Sequence, residues 1–385
     1  MAKDLVIGID IGGQTSKCGI VDARGTVLAQ TVIRSDETTD ADVFIASLAE
    51  ALNRIIAEAG AEGRIRGIGV GAPNGNYYTG TIEYAPNLKW GGAKVLPFAK
   101  LLQEQMNGIP VSLTNDANAA AVGEMTYGAA RGMKNFIMIT LGTGVGSGIV
   151  IDGNVVYGHD GFAGELGHTC AIRHNGRVCG CGKTGCLEAY CSATGVARTA
   201  REWLEMTDEP SELRSLDKIT SKDVYDAAKD GDKLALKIFE YTGRILGEKL
   251  ADFIEFSAPE AIVLFGGLAR SKEFLTQPIL DAMNANVLPL WRNKVKLVYS
   301  SLKSPTPQSL AHLHLHGSSS ENPARKTFAG DGLHPARLRV PPHRQNRFCS
   351  PGGSCGQHEP AGKGLGHVLG APGGPGPHFY MGKQR

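Results

Sequence analysis

No apolar run in this sequence approaches the length of a bilayer span, so it offers no candidate transmembrane helix. Charge of one sign is equally scarce. The 385 residues hold 40 Lys+Arg against 38 Asp+Glu, a formal net charge of +2, which leaves no electrostatic footprint for nucleic acid. No secretory signal opens the chain, and Cys18, Cys170 and Cys191 stand apart from its one tight group of cysteines, a usage that suits a reducing, cytoplasmic setting. Two phosphate-binding signatures are also missing. Neither G-x-x-x-x-G-K-[ST] nor a dinucleotide-binding G-x-G-x-x-G with its distal acid fits anywhere in the chain.

What is present is concentrated. Gly164-Glu165-Leu166-Gly167-His168 is followed by Cys179-Gly180-Cys181-Gly182 and Gly185-Cys186-Leu187-Glu188, which puts one histidine and three cysteines within residues 168–186. Four such ligands fill the tetrahedral shell of a structural zinc and leave no vacancy for an activated water. Glycines let the backbone turn tightly enough to aim three thiolates at one ion. Disulfides or unligated thiols are the other readings, but Cys179 and Cys181 are too close in sequence to bond comfortably. The metal is expected to be scaffold, with Glu165 and Glu188 flanking a polar site beside it.

Hydrophobic patterning places short strands at Leu5–Asp10, Lys17–Val21 and Val27–Ile33, a helix at Ala41–Ala59, strands at Gly67–Val70 and Val111–Leu113, and a helix at Ala117–Tyr127. A second copy of this order starts near Asn135, with strands Phe136–Thr140 and Gly148–Asp152, helices near Ser221–Lys229 and Leu234–Phe256, and a buried strand Ala261–Phe265. The expectation is an α/β protein with two matched units around a cleft: residues 1–116, then 117–303 carrying the cysteine loop 164–188.

At Ser304 the chain changes character. Residues 304–385 contain 8 of the 11 histidines and 11 of the 19 prolines, no isoleucine, and 9 Lys+Arg against 3 Asp+Glu. No hydrophobic period survives, and Gly/Pro runs such as Ala371–Pro377 pack no core. His312, His314 and His316 form a possible metal tract, but a shifted reading frame accounts for more. Moving the frame by two bases permits Pro-Asp-Ala-Ala-Val-Leu-Gly-Ala-Ser-Ala-Leu-Ala-Trp, an Ala-rich amphipathic helix. Residues 304–385 are therefore expected to be a disordered or out-of-frame tail.

Three glycine turns follow buried strands: Asp10 with Gly12-Gly13-Gln14-Thr15, then Thr143-Gly144-Val145-Gly146, then Gly266-Gly267. Backbone N–H groups at such turns cradle phosphate oxygens, and Asp10 could hold Mg²⁺ through water. One such turn is common; three on two matched units point to a nucleotide. Asn115-Asp116 stands where a buried strand hands over to a helix. Asp116 there is either the helix N-cap or a general base for a hydroxyl attacking phosphorus. Asn115, Glu165 and Glu188 would then supply the paired acceptors that sugar hydroxyls require.

On these residues the sequence resembles the ROK family (repressors, open reading frames and sugar kinases), on the actin-like ATPase, or ribonuclease H-like, fold of the hexokinases. The resemblance covers about residues 4–303, and Cys179-Gly-Cys181-Gly-x-x-Gly-Cys186-x-Glu188 downstream of Gly-Glu165-Leu-Gly-His168 is its most specific element. It implies zinc on His168, Cys179, Cys181 and Cys186, and ATP phosphates at Asp10–Thr15 and Thr143–Gly146. It further implies adenosine near Gly266-Gly267, Asp116 as base, and sugar contacts from Asn115, Asp116, Glu165, His168 and Glu188. The function so implied is ATP-dependent phosphorylation of the 6-hydroxyl of a hexose, glucose or its N-acetylated relative, by a homo-oligomer, dimer or tetramer. A sugar-sensing binding protein without catalysis, or a regulator, is the alternative. The family often has Thr-Lys where this chain has Gln14-Thr15, and its repressors carry an N-terminal helix-turn-helix for which there is no room before residue 5. The family's last helix is missing unless the frame is restored.

Overall fold

The computed structural model describes residues 4–302 apart from Ala93. The chain opens with β1 (Leu5–Ile11), β2 (Thr15–Val21), β3 (Val27–Arg34), α1 (Ala41–Glu58) and β4 (Ile65–Ala72). A small hairpin, β5 (Ile82–Glu83) and β6 (Val95–Leu96), precedes α2 (Phe98–Gln105), β7 (Val111–Asn115) and α3 (Asp116–Tyr127). The first sheet has the order β3-β2-β1-β4-β7. Its first three strands run antiparallel and β4 and β7 join parallel to β1. β1 is buried along almost its whole length, which is why its sequence reads as a continuous apolar run rather than an alternation. α1 covers one face with Phe44, Ile45, Leu48, Leu52 and Ile55, and Asp40 caps it by accepting the Asp42 and Val43 N–H groups. Phe44 stacks on Trp90 at 4.4 Å between ring centroids.

A second sheet repeats this plan. β8 (Phe136–Leu141), β9 (Val145–Ile151) and β10 (Asn154–Val155) are antiparallel, and β11 (Ala261–Phe265) and β12 (Lys296–Tyr299) add parallel to β8, giving the order β10-β9-β8-β11-β12. Between β10 and β11 lie the cysteine loop and four helices: α4 (Glu188–Cys191), α5 (Ala193–Met206), α6 (Ser221–Lys229) and α7 (Lys233–Ser257). α8 (Lys272–Asn286) packs along α7. Gly243 and Gly247 of α7 make that approach possible: a Cβ would lie 2.7 Å from Pro278 Cβ at the first and 2.4 Å from the Ile279 carbonyl at the second. Both sheets belong to one compact unit, and no helix among the described residues is long and apolar enough to cross a membrane.

α3 leaves the first sheet and packs on the second. It is buried at every position from Ala117 to Glu124, as a helix enclosed on all sides must be. Its alanines meet the glycines of β9. A Cβ on Gly148 would lie 2.8 Å from Ala121 Cβ and 3.2 Å from the Ala117 carbonyl, and one on Gly146 would lie 3.1 Å from Ala117 Cβ. Those glycines also explain why β9 begins at Val145 and not at Gly148 as the patterning suggests, since glycine carries no strand signal.

The duplicated plan, the helix at Ser221–Lys229 and the strand Ala261–Phe265 match the expectation. α5, α8 and β12 are additions. β12 is four residues long and only half-buried, and Pro278 interrupts the apolar period of α8. The expectations for residues 304–385, the histidine tract and the shifted frame included, lie outside the described residues.

The α3–β9 contact yields a stability prediction. Gly148→Val should cost about 1–3 kcal/mol, because the backbone of α3 has no room to give. Gly267→Ala, where a Cβ meets nothing within 4 Å, should stay near wild type. Urea unfolding of the three proteins checks both.

Candidate active site

The first turn of α3 is the centre of the site. Asn115 is the N-cap, its Oδ1 accepting the Ala117 N–H at 2.8 Å. The cap thus falls on Asn115, and Asp116 is the first helical residue, with an oxygen also 2.8 Å from the Ala117 N–H. With its oxygen on the Ala117 N–H, Asn115 still has its amide N–H groups to offer as donors.

Asp116 is reachable by solvent, yet protein crowds it closely enough that desolvation raises its carboxyl above the ordinary range, against the pull of the Ala117 N–H. Asp10, at the end of β1, is pushed up to about 6, first by burial and then by the charge of Asp116, while Lys17 opposes. Glu165 is raised by burial and by the charges of Asp116 and Glu188, with His168 drawing it down. Carboxylates from both halves of the chain therefore converge on one place.

Loop 157–164, which leads into Glu165, is stitched to the first half of the chain. Asn76 Nδ2 donates to the Asp160 carbonyl at 2.8 Å, Tyr78 OH donates to the Gly158 carbonyl at 2.7 Å, and the Tyr77 and Tyr157 rings stack at 4.1 Å. Sequence reasoning missed these residues, because hydrogen bonds to distant backbone carbonyls leave no side-chain pattern.

His168, Cys179, Cys181 and Cys186 come together, their ligand atoms all within 4.8 Å of one another. Cys181 and Cys186 Sγ are 3.7 Å apart, and Cys179 Sγ is 3.8 Å from His168 Nδ1. Tetrahedral zinc with ordinary Zn–S and Zn–N bonds has edges of about 3.6–3.8 Å, so the donor set fits that ion. All three cysteines stand as free thiols rather than disulfides. His168 turns its other ring nitrogen toward Glu165, Nε2 to Oε2 being 3.9 Å, and so joins the cluster to the carboxylates. Buried Arg177, absent from the sequence reading, pins the loop: its N–H donates to Tyr190 OH at 2.7 Å and its guanidinium to Glu202 at 2.6 Å and the Ala189 carbonyl at 3.0 Å.

The three glycine turns are placed by this frame. In the first, the Gly12 N–H is spent on the Thr15 carbonyl at 3.0 Å, and a Cβ on Gly13 would lie 2.8 Å from the Asn87 carbonyl. Gln14 is exposed. In the second, the Gly142 N–H bonds the Gly144 carbonyl at 3.0 Å, Thr143 is exposed, and Gly146 donates to Thr140 Oγ1 at 2.9 Å. Glu188 is engaged here rather than free: its Oε2 accepts the Val145 N–H at 2.9 Å and its Oε1 lies 3.4 Å from Cys179 Sγ. Gly266 has φ +106°, and a Cβ there would lie 2.5 Å from the Leu141 carbonyl, which brings the third turn against the base of the second. Beside it opens a hollow of about 400 Å³ lined by Gly266, Gly267, Ala269, Lys272 and Tyr299.

Two sheets of identical strand order, glycine turns at their strand ends and a cysteine–histidine loop in the second define an α/β protein of the actin-like ATPase class. The family model for the ROK family matches residues 6–307. A glucokinase of Halalkalibacterium halodurans is 38% identical over 294 residues, 75% of this chain and 88% of that one. Among solved structures, a ROK family glucokinase from Streptomyces griseus in complex with glucose and AMPPNP is 31% identical, with a TM-score of 0.65 over 80% of this chain and 98% of that one. A ROK family transcriptional regulator, homolog of the E. coli MLC protein, is 29% identical, with a TM-score of 0.73 over 81% of this chain and 78% of that one. The chain belongs to the ROK family.

Two predictions follow from this geometry. Asp10 is harder to ionise in the fold than in the open chain, so its charge costs stability, and the cost appears as pH rises from about 4 through about 6. Asp10→Asn should therefore melt a few degrees above wild type at about pH 7, and the gain should vanish near pH 4. Thermal scans of both proteins across that range read it directly. The second concerns the cysteine loop. Cys181→Ser should lower the zinc content of the purified protein well below one per chain, by elemental analysis, and speed metal loss to a chromogenic chelator.

Proposed function

We propose that this chain is an ATP-dependent hexokinase of the glucokinase type, transferring the γ-phosphoryl group of ATP to the 6-hydroxyl of glucose or of its N-acetylated relative. The observation that carries the reading is the placement of Asp116. Its charge raises the Asp10 carboxyl at one glycine turn, while its neighbour Ala117 packs on Gly146 of another. On this reading residues 1–116 and 117–303 act as the two lobes of a cleft.

The sugar is held by Asn115, Asp116, Glu165, His168 and Glu188. Asp116 takes the hydroxyl proton as that oxygen bonds to the γ-phosphorus and the bond to the β-phosphate oxygen breaks, leaving ADP. Phosphates lie along the turns at Gly13–Thr15 and Thr143–Gly146, with adenosine in the hollow beside Gly266 and Gly267. Asp10 is the residue to hold Mg²⁺, which when bound neutralises phosphate charge. His168, Cys179, Cys181 and Cys186 would hold zinc as scaffold, which would keep His168 turned toward Glu165.

A second reading is favoured by the likeness to the regulator. In that case the pocket binds sugar without turnover. A coupled assay of ADP release over a panel of hexoses separates the two, since the regulator reading gives sugar binding with no ADP.

Asp116→Asn should lower turnover by about 10²-fold or more with a smaller change in sugar affinity. In wild type the acid limb of kcat/KM should lie above the ordinary carboxylate range, because Asp116 must be ionised to act and burial raises it. Near-normal turnover in the variant would overturn the assignment.

A further inference from the structure

The glycine turn between β8 and β9 has little of its own to hold it. Gly142, Thr143 and Gly144 share one internal bond, from the Gly142 N–H to the Gly144 carbonyl at 3.0 Å. Its shape is set from outside, by the residues that follow the last cysteine of the metal loop. Glu188 Oε2 accepts the Val145 N–H at 2.9 Å. The Ala193 N–H donates to the Gly142 carbonyl at 2.8 Å. Thr194 Oγ1 donates to the Thr143 carbonyl at 2.8 Å. The Glu188 carboxylate lies so close that a Cβ on Gly144 would be 2.4 Å from Oε2, so a side chain there would push that carboxylate away.

These three braces are themselves tied together. Ser192 Oγ donates to the Glu188 carbonyl at 2.7 Å, caps α5 by accepting the Gly195 N–H at 3.0 Å, and lies 2.9 Å from Thr194 Oγ1. Glu188 in turn stands two residues after Cys186 and touches Cys179. The cysteine cluster, α4 and the start of α5 thus form one bracket around the turn.

We propose that Glu188 and Thr194 are positioning residues for the nucleotide phosphates, so that the segment closing the metal loop sets nucleotide affinity as well as the sugar pocket. The inference rests on the kinase reading, in which the turn at Thr143–Gly146 meets ATP phosphates. A glycine turn that must order itself on binding loses affinity, and bracing it beforehand removes that cost. Thr194 is the cleaner probe because it has no place among the sugar contacts.

The experiment is ADP binding to the full chain by titration calorimetry, without sugar, together with amide hydrogen exchange of the segment 141–146. Thr194→Val keeps the shape and loses the donor; Thr194→Ser restores it. The expected result is an ADP affinity about 3–10-fold weaker in Thr194→Val, the scale of one hydrogen bond, with faster exchange in the turn. Thr194→Ser should return both to near wild type, and glucose affinity should move less than about twofold. Thr194→Ala serves as a second deletion in case valine packs poorly. Unchanged ADP binding in both deletions, an equal loss of ADP and glucose affinity, or no rescue by serine would overturn the proposal alone. Wild-type protein that binds no ADP would overturn the nucleotide-site reading and the proposal with it.

Discussion

The contact of α3 with β9 is the constraint on which the rest of the structure depends. Alanines 117 and 121 lie against glycines 146 and 148 with no space for another carbon. Van der Waals packing this close allows one axial position for the helix, because any slide puts a methyl group into backbone. The helix begins where the first sheet ends and lies on the second, so one small-residue seam fixes how the two halves of the chain present their strand ends. Asp116 stands at the start of that helix and inherits its placement.

A convergence of negative charge follows. Asp10, Asp116, Glu165 and Glu188 come from four separate stretches of sequence, and the first three are all harder to ionise than free carboxyls. Such a cluster costs stability in the empty protein, a cost common at sites built for chemistry. The proposed kinase reading gives these groups occupants: sugar hydroxyls that donate hydrogen bonds, and a cation brought with the phosphates. The cysteine cluster shares this region through His168 and Glu188, so a metal held there would be separated from the other carboxylates by single side chains.

Much of the fold was legible along the chain. Strands such as Ala261–Phe265 are buried on both faces and read as short apolar runs. The repeat of strand, turn and strand near Asn135 announced the second sheet. Less legible were elements whose signal is diluted: β12 is a short, half-buried strand at the end of its sheet, and β9 is rich in glycine because α3 presses on it. At the site, the four residues of the cysteine–histidine cluster could be named from spacing alone, since zinc demands particular donor types close together. Arg177, Asn76 and Thr194 could not. Each acts through a hydrogen bond to backbone far away in sequence, and backbone acceptors leave no trace in side-chain pattern.

The sequence by itself determined the α/β duplication, the cysteine–histidine ligand set, the three glycine turns and the strand-to-helix junction at Asn115-Asp116, because each follows from local propensity or from donor chemistry. Only the tertiary structure decided that Asn115 and not Asp116 caps the helix, that Glu188 binds the turn at Val145, and that the charge of Asp116 makes Asp10 harder to ionise. Those outcomes depend on distances between residues far apart in the chain. Such distances are set by how closely α3 and β9 can approach, which is a property of packing and not of any single segment.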